Sequence, residues 1–244
     1  RLRNKQWWYM KKFADRLHVL NYFLIWRIGL FVVAAIASFW IKEFGARFPY
    51  YKETLISSGL PGWVWSFGNF DGVHYIDIAQ NGYFAQYTQA FFPLYPLLVR
   101  LFAFGQSYLL SGLAVSNILF LIALVLLYKL LRLDFNGKIS MNVIILVLAY
   151  PVSFYFGAVY SESLFLLLVV ASLLFIRKRS FLCGGIMIAL ASATRIVGLF
   201  LLPVILWELY ILIRQQVIKV WSLEFYKAIL GVVFSVLGTA LYML

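Results

Sequence analysis

Long uncharged apolar runs constrain this chain more than any other feature of its sequence. The stretch LLSGLAVSNILFLIALVLL, residues 109–127, contains no charged residue and matches the roughly 20 apolar residues that one helical crossing of a bilayer requires. Charged residues make up only 12% of the chain, whereas soluble domains carry about a quarter. The sequence therefore predicts an all-α, polytopic integral membrane protein that forms a single domain over residues 1–244.

About seven transmembrane helices are expected from the apolar runs. The first run exceeds the roughly 7–15 residues of a signal-peptide core, so it is interpreted as a signal anchor. The chain begins at Arg1 without a methionine and stops at Leu244 inside an apolar run, as a piece of a longer protein would. The predicted spans are residues 20–41, 108–131, 141–157, 161–176, 181–195, 197–213 and 228–244.

A long polar loop with interfacial helices is predicted over residues 42–105. Its last part, FFPLYPLLVRLFAFG, is short for a crossing and carries Arg100, so an interfacial position is expected. If this part does not cross and the N-terminus is cytoplasmic, the basic loops KLLRLDFNGK, IRKRS and RQQVIKVW all lie inside. The net charge of +12 then reflects membrane orientation, and nucleic acid is not an expected partner. The loop itself becomes extracytoplasmic.

Acidic residues and one of the two histidines gather in DGVHYIDIAQNG within this loop. Asn69 or Asp71 as N-cap and Asn81-Gly82 as a stop predict a helix here. Asp71, His74 and Asp77 have i, i+3, i+6 spacing and share about a third of its circumference. The residues permit three interpretations: a solvated face, a site for a divalent cation such as Mn²⁺ or Mg²⁺, or a general base. HExxH, DxD and a second outer histidine are all missing, and no cofactor is required.

Further charges lie close to apolar spans. Glu162 occupies a predicted outer turn, and Arg195 stands among apolar residues in LASATRIVGLF. Arg195 either has a structural role, by snorkelling or by pairing with Glu162, or it binds an anion such as a lipid phosphate. Arg100, at the edge of the interfacial part, likewise has a structural or an anion-binding role. Arg27 is close enough to the cytoplasmic end of the first span to snorkel, and no role is assigned to it.

Four ordered blocks carry a family resemblance. They are FDGVHYIDIAQNGY at 70–83, FFPLYPL at 91–97, YPVSFYFGAVYSESLFLLL at 150–168 and LASATRIVGLFLLP at 190–203. Together they resemble the phosphatidylinositol-glycan class V mannosyltransferases, whose blocks read W-D-x-x-H-[FY]-x-x-I-A-x-x-G-Y, F-F-P-x-[FY]-P-L, P-x-S-x-F…Y-S-E-[SA]-L-F and [AS]-x-x-R-x-x-G-L. The chain departs at Phe70, where the family has Trp, and at Ile196-Val197, where it has Ser-Asn.

The resemblance implies an inverting enzyme of the glycosyltransferase C superfamily. Such enzymes move a sugar, here mannose, from a polyprenyl- or dolichyl-phosphate donor to a lipid or glycan acceptor. The family's essential acid in the first outer loop matches Asp71, which becomes the expected base. His74 and Asp77 would support it, with Glu162 as the second candidate. Predicted substrate-binding residues are Arg195, Arg100, Tyr160, Ser161 and Tyr83.

Two non-enzymatic hypotheses remain open. A transporter or flippase of lipid-linked saccharides would also need buried arginine and glutamate, although no internal repeat is visible. An assembly subunit whose outer loop binds a partner is the other alternative. In every case the expected location is a multi-pass position in membrane lipid: the cell membrane of a prokaryote or the endoplasmic reticulum of a eukaryote, with the site on the extracytoplasmic or lumenal face.

Overall fold

A computed structural model describes residues 2–41, 49–84, 88–103 and 107–243. Within these ranges every regular element is a helix and no strand occurs, so the all-α prediction is confirmed. Parts of the predicted outer loop, residues 42–48, 85–87 and 104–106, lie outside the described residues.

The described helices alternate between long apolar rods and short segments. The α-helices are α1 Leu2–Trp40, α2 Tyr51–Thr54, α3 Gly62–Trp65, α4 Asp71–Asn81, α5 Leu94–Ala103, α6 Tyr108–Leu131, α7 Gly137–Ala149, α8 Glu162–Arg177, α9 Phe181–Ser192, α10 Leu202–Arg214 and α11 Leu223–Met243. Short 3₁₀ segments lie between several of them, notably Pro151–Gly157 before α8 and Ile196–Leu201 before α10.

Four stretches of the described chain are helical, long and apolar enough to cross a membrane. They are Asp15–Trp40, Tyr108–Leu131, Ile196–Arg214 and Leu223–Ala240. The protein is therefore a multi-pass membrane protein, but the predicted number of seven spans is not confirmed. The predicted crossings at 161–176 and 181–195 form α8 and α9, whose 16 and 12 residues fall short of a full crossing.

The predicted crossing at 141–157 is a broken element. Helix α7 ends at Ala149, and the 3₁₀ segment Pro151–Gly157 leaves it at an angle of 85°. Proline lacks an amide hydrogen and drives the preceding residue out of the helical region, which agrees with the extended ψ of 132° at Tyr150. The prediction of one straight span over 141–157 rested on apolar composition alone, which does not report this bend.

Arg27 is buried within the protein, which contradicts the prediction that it snorkels to the cytoplasmic surface. Its side chain is only 7% exposed. The guanidinium carbon lies 4.0 Å from the ring centre of Phe31 on the same helix and 4.5 Å from that of Phe67 in the 3₁₀ segment Ser66–Gly68. Attraction between a cation and aromatic faces explains why the side chain turns towards Phe67.

Two segments that are distant in sequence meet over α6. The amide of Val159 donates to the carbonyl oxygen of Phe67 at 2.9 Å, which joins the segment before α4 to the segment before α8. Gly112 of α6 permits this approach, because a Cβ there would lie 2.5 Å from Val159 Cγ1. The buried side chains of Val73 and Tyr95 add α4 and α5 to the same core. Residues far apart in sequence are thereby brought to one end of the helix bundle.

Candidate functional site

Asp71 is the first residue of α4, and an unusual turn precedes it. Phe70 holds the N-cap position with φ 55° and ψ −124°, a conformation that L-residues rarely adopt. The predicted caps are therefore wrong: Asn69 Oδ1 accepts the amide of Phe70 at 2.9 Å, and Asp71 is already helical. The predicted stop is confirmed by Gly82, which ends the helix with φ 87°.

The backbone at residues 69–71, called the Phe70 turn below, is held from a distant part of the chain. The hydroxyl of Tyr160 donates to the carbonyl oxygen of Asn69 at 3.0 Å. Strained backbone of this kind costs about 1–3 kcal/mol and persists only when its surroundings enforce it. Tyr160 is 6% exposed and its hydroxyl supports this turn, while its contact to substrate stays a prediction. Burial, followed by the negative charge of Asp71, raises the pKa of Tyr160.

Tyr75 connects Asp71 with the residues before and at the start of α8. It lies one helical turn after Asp71, is 7% exposed, and its hydroxyl donates to Ser161 Oγ at 2.9 Å. Burial raises the pKa of Tyr75 to about 12; the Ser161 hydrogen bond lowers it, Glu162 raises it, Arg195 lowers it and Asp71 raises it. Three charged residues from separate segments therefore influence the pKa of one hydroxyl. The sequence interpretation had counted Tyr75 only as apolar surface, although its i+4 spacing from Asp71 was visible.

Glu162 and Arg195 form an ion pair beside this hydroxyl. Glu162 Oε1 accepts from Arg195 Nη1 at 2.5 Å, as one of the two sequence hypotheses expected. The side chains remain 27% and 43% exposed respectively, so water screens the pair in part. The second carboxylate oxygen, Glu162 Oε2, is buried and has no hydrogen-bond partner among the residues described. The pair thus retains unused capacity to accept a hydrogen bond.

The remaining predicted site residues lie on α4, on α5 or between these two helices. The His74 ring lies 4.9 Å from the Phe91 ring, and the hydroxyl of Tyr83 donates to the Phe91 carbonyl oxygen at 2.7 Å. Asp77 Oδ1 accepts from Asn81 Nδ2 at 2.7 Å, a local bond along the helix. Arg100 is exposed in the last turn of α5.

The described residues contain no ligand set that would support a metal site on α4. Across residues 2–41, 49–84, 88–103 and 107–243, no three His, Cys, Asp or Glu side chains are grouped so that they could hold an ion. Asp77 is hydrogen-bonded to an amide and His74 packs against a phenyl ring. The residues present therefore do not fit a divalent cation, and no chemical step is derived through one.

Chemically, the site combines an exposed carboxylate with a partly neutralised arginine. Asp71 is exposed at the start of α4, where the helix N-terminus favours a negative charge. Ser161 is 1% exposed and accepts the Tyr75 hydrogen bond, and its role in substrate binding stays a prediction. Asp71, Tyr75, Glu162 and Arg195 are called the polar cluster below; its chemistry suits proton abstraction next to an anionic group.

A family model and several known proteins resemble this chain in sequence. Two curated relatives carry the name "GPI mannosyltransferase 2": one from Drosophila pseudoobscura pseudoobscura is 33% identical over 48% of this chain, and one from Cryptococcus neoformans var. neoformans serotype D (strain JEC21) is 28% identical over 60%. The chain spans only 28% and 36% of their respective lengths. No solved structure matches significantly. A family model described as "Mannosyltransferase (PIG-V)" matches residues 12–243, and the chain therefore belongs to the PIG-V mannosyltransferase family.

Proposed function

We propose that this protein is a mannosyltransferase that uses a polyprenyl- or dolichyl-phosphate mannose donor. The acceptor would be a lipid-linked or glycan hydroxyl, and the reaction would take place at the extracytoplasmic or lumenal membrane face. The observation that carries the proposal is the exposed Asp71 carboxylate. Asp71 is the first residue of α4 and directly follows Phe70 in the turn that Tyr160 supports. Its charge and the charges of Glu162 and Arg195 all influence the pKa of the Tyr75 hydroxyl. Family membership supplies the sugar.

In the proposed reaction, Asp71 accepts the proton of the acceptor hydroxyl. The acceptor oxygen then forms a bond to the anomeric carbon of mannose, while the bond between that carbon and the donor phosphate oxygen breaks. The lipid phosphate leaves with the electron pair, and the anomeric configuration inverts. Positive charge near the departing phosphate would stabilise the transition state, which is the role proposed for Arg195 and for the exposed Arg100.

Glu162 is the second candidate for the base. Its Oε1 is committed to Arg195, and its partnerless Oε2 is the atom that would accept a proton. Asp71 remains the stronger candidate because it is exposed, whereas the Oε2 atom of Glu162 is buried. His74 and Asp77 would support the helix that carries Asp71.

The transporter hypothesis has weaker support from the described part of the chain. Transporters commonly contain matched broken helices in two related halves. Among the described residues a single bent pair occurs, Gly137–Ala149 with Pro151–Gly157. No specific contact favours the assembly-subunit hypothesis over an enzyme.

The decisive experiment measures sugar transfer by the purified full-length protein in lipid. Radiolabelled polyprenyl-phosphate mannose is offered with a panel of lipid-linked and glycan acceptors, and labelled product is expected. Movement of the intact labelled donor across vesicles without any product would support the transporter hypothesis and contradict an enzyme.

The membrane face is tested separately by labelling single cysteines in a Cys183→Ser background. A cysteine at Gly62, in the segment before Asp71, should react with an impermeant thiol reagent added from the extracytoplasmic side. Cysteines at Gly137 and Arg179 should react only after permeabilisation. The reverse pattern would assign the polar cluster to the cytoplasmic face.

A further inference from the structure

Arg27 is a buried cation whose hydrogen-bonding capacity is only partly used. Two aromatic rings, Phe31 and Phe67, cover faces of its guanidinium at 4.0 and 4.5 Å from the ring centres. Its Nη1 atom is buried and has no hydrogen-bond partner within the described ranges. Arginine does not lose its proton in proteins, so this position holds a full positive charge inside an apolar region.

A second partnerless atom lies against the same glycine. Asn117 of α6 donates from Nδ2 to the carbonyl oxygens of Leu113 at 2.7 Å and Gly157 at 3.3 Å. These two bonds fix the orientation of the amide, and its Oδ1 atom is buried without a partner in the described part of the protein. Gly157 also faces Arg27, because a Cβ added there would lie 2.5 Å from Nη1. One unsatisfied donor and one unsatisfied acceptor therefore both border Gly157.

Such a pair of atoms defines the chemistry of a ligand. The ligand must present an anionic oxygen to Arg27 and a hydroxyl hydrogen to Asn117. A phosphate monoester that keeps one P–OH group, or a phosphate ester with a neighbouring sugar hydroxyl, offers both. Water could satisfy both atoms, but it brings no negative charge, and the charge of Arg27 would then be offset only by the two aromatic rings.

We propose that Arg27 and Asn117 form a binding site for the phosphate group of a lipid-linked sugar. This inference rests on the proposed function, and it adds Arg27 to Arg195 and Arg100 as a cation for the donor phosphate. Arg195 is already paired with Glu162, whereas Nη1 of Arg27 is not hydrogen-bonded to any described residue.

The location of the site supports this assignment. Phe67 precedes the Phe70 turn and Asp71, and Gly157 precedes Tyr160 and Glu162. The Val159–Phe67 backbone hydrogen bond joins these two segments directly. The segments that enclose Arg27 are therefore the ones that hold the proposed base.

The test measures affinity for phosphate separately from catalysis. Polyprenyl monophosphate, the matching polyprenol and inorganic phosphate are titrated into the purified full-length protein, and thermal unfolding without ligand reports folding. The variants are Arg27→Gln, Arg27→Lys and Gly157→Ala. Gly29→Ala is the matched glycine control, since a Cβ on this residue of α1 meets nothing within 4 Å. Lys138→Gln removes an exposed positive charge elsewhere.

The wild-type protein is expected to bind polyprenyl monophosphate and to bind polyprenol weakly. Arg27→Gln should reduce the affinity about 10- to 100-fold, the range expected when a hydrogen bond to a charged group is lost. Gly157→Ala keeps the charge but displaces the guanidinium, so it should also weaken binding. Both controls should bind as the wild type does. Competition by inorganic phosphate at equal affinity would support the phosphate site but assign it to free phosphate.

Several results would overturn the inference. One is a folded Arg27→Gln variant with wild-type affinity; another is a wild-type protein that binds no phosphate from either source. If Arg27→Gln does not fold, wild-type affinity in both Arg27→Lys and Gly157→Ala would overturn it equally. By contrast, Arg27-dependent phosphate binding in a protein that transfers no mannose would refute the proposed activity and leave the phosphate site standing.

Discussion

The two ends of α8 carry ion pairs of different construction. At its last turn, Arg177 makes two hydrogen bonds to Asp134, at 2.9 and 2.6 Å, and both side chains are nearly half exposed. At its first turn, Glu162 makes one contact to Arg195, and its other carboxylate oxygen is buried without a partner in the described structure. The former pair satisfies both oxygens of its carboxylate, while the latter does not.

The Arg177–Asp134 pair is therefore interpreted as a structural contact at the surface, and the Glu162–Arg195 pair as one that can take part in chemistry. The paired guanidinium of Arg177 hydrogen-bonds Asp134 and holds the pKa of that carboxyl below its ordinary value. Glu162 and Arg195 instead act on Tyr75 together with a second acid, Asp71. The unpartnered oxygen of Glu162 and the exposed Asp71 carboxylate are the groups on which the proposed reaction depends. Mutations at the two ends should therefore have effects of different kinds.

The largest effect is expected at Asp71. Asp71→Asn keeps the size of the side chain but removes the base, so transfer should fall about 10²- to 10⁴-fold with donor binding largely retained. Asp77→Asn is the matched control on the same helix and should cost less. Near-normal turnover in Asp71→Asn, together with an inactive Glu162→Gln variant, would transfer the role of base to Glu162. Initial rates and donor affinity are measured on the same preparations.

Arg195→Ala should have the next largest effect, mainly on stability. It leaves the half-buried Glu162 without its partner, which should cost about 1–3 kcal/mol of the free energy of unfolding. Adding Glu162→Gln to Arg195→Ala should recover part of that loss, because the stranded charge is then removed. Arg195→Lys should fold normally but bind the lipid-phosphate sugar more weakly, since a point charge replaces a planar fork. Unchanged thermal stability in Arg195→Ala would show that the pair is not structural.

A smaller effect is expected from Tyr160→Phe, which removes the hydrogen bond to Asn69 and keeps the ring. The hydrogen bond contributes about 0.5–1.5 kcal/mol to holding the Phe70 turn. If this loss appears in the reaction barrier, kcat should fall about 2- to 12-fold, with KM little changed. Tyr75→Phe, which spares the Asn69 bond but loses the bond to Ser161, provides the comparison. A higher KM with unchanged kcat in Tyr160→Phe would instead support the prediction that Tyr160 contacts substrate.

The smallest effect is expected at the other end of α8. Asp134→Asn should shift the thermal midpoint at neutral pH by about one degree or less, because an exposed pair contributes little. Since the pKa of Asp134 is lowered in the folded protein, the pair stabilises above the ordinary carboxyl range. That contribution disappears as pH falls through the lowered value. Unfolding of wild type and variant at neutral and acid pH should therefore converge at acid pH, and a large neutral-pH shift would contradict the proposed contrast between the ends.

Sequence patterns predicted the elements whose signals are local. Helix α6 has the predicted bounds, Tyr108–Leu131, because one uninterrupted apolar run determines both its length and its environment. Helix α4 and its glycine stop followed from adjacent capping and turn residues. Hydropathy did not predict the bend at Pro151, because it measures how apolar a stretch is and carries no information on the backbone geometry of proline.

Contacts between distant residues could not be predicted in this way. The burial of Arg27 depends on Phe67 and Gly157, and the position of Asp71 depends on Tyr160. Hydropathy around Arg27 indicates only that a charge lies in an apolar run, and snorkelling is then the simplest solution. The burial of Arg27 and the support of the Phe70 turn both arise where segments distant in sequence pack together.

The hydrogen bond between Tyr160 and Asn69 has a consequence for the order in which the protein assembles. It joins residues 91 positions apart, so the Phe70 turn receives its support only after the residues up to Tyr160 have been synthesised and docked. Until then α4 can form, but the carboxylate at its start has no enforced direction. Completion of the proposed site is therefore a late event in biogenesis, and a nascent chain released before Tyr160 would carry every residue of α4 without the support of the Phe70 turn.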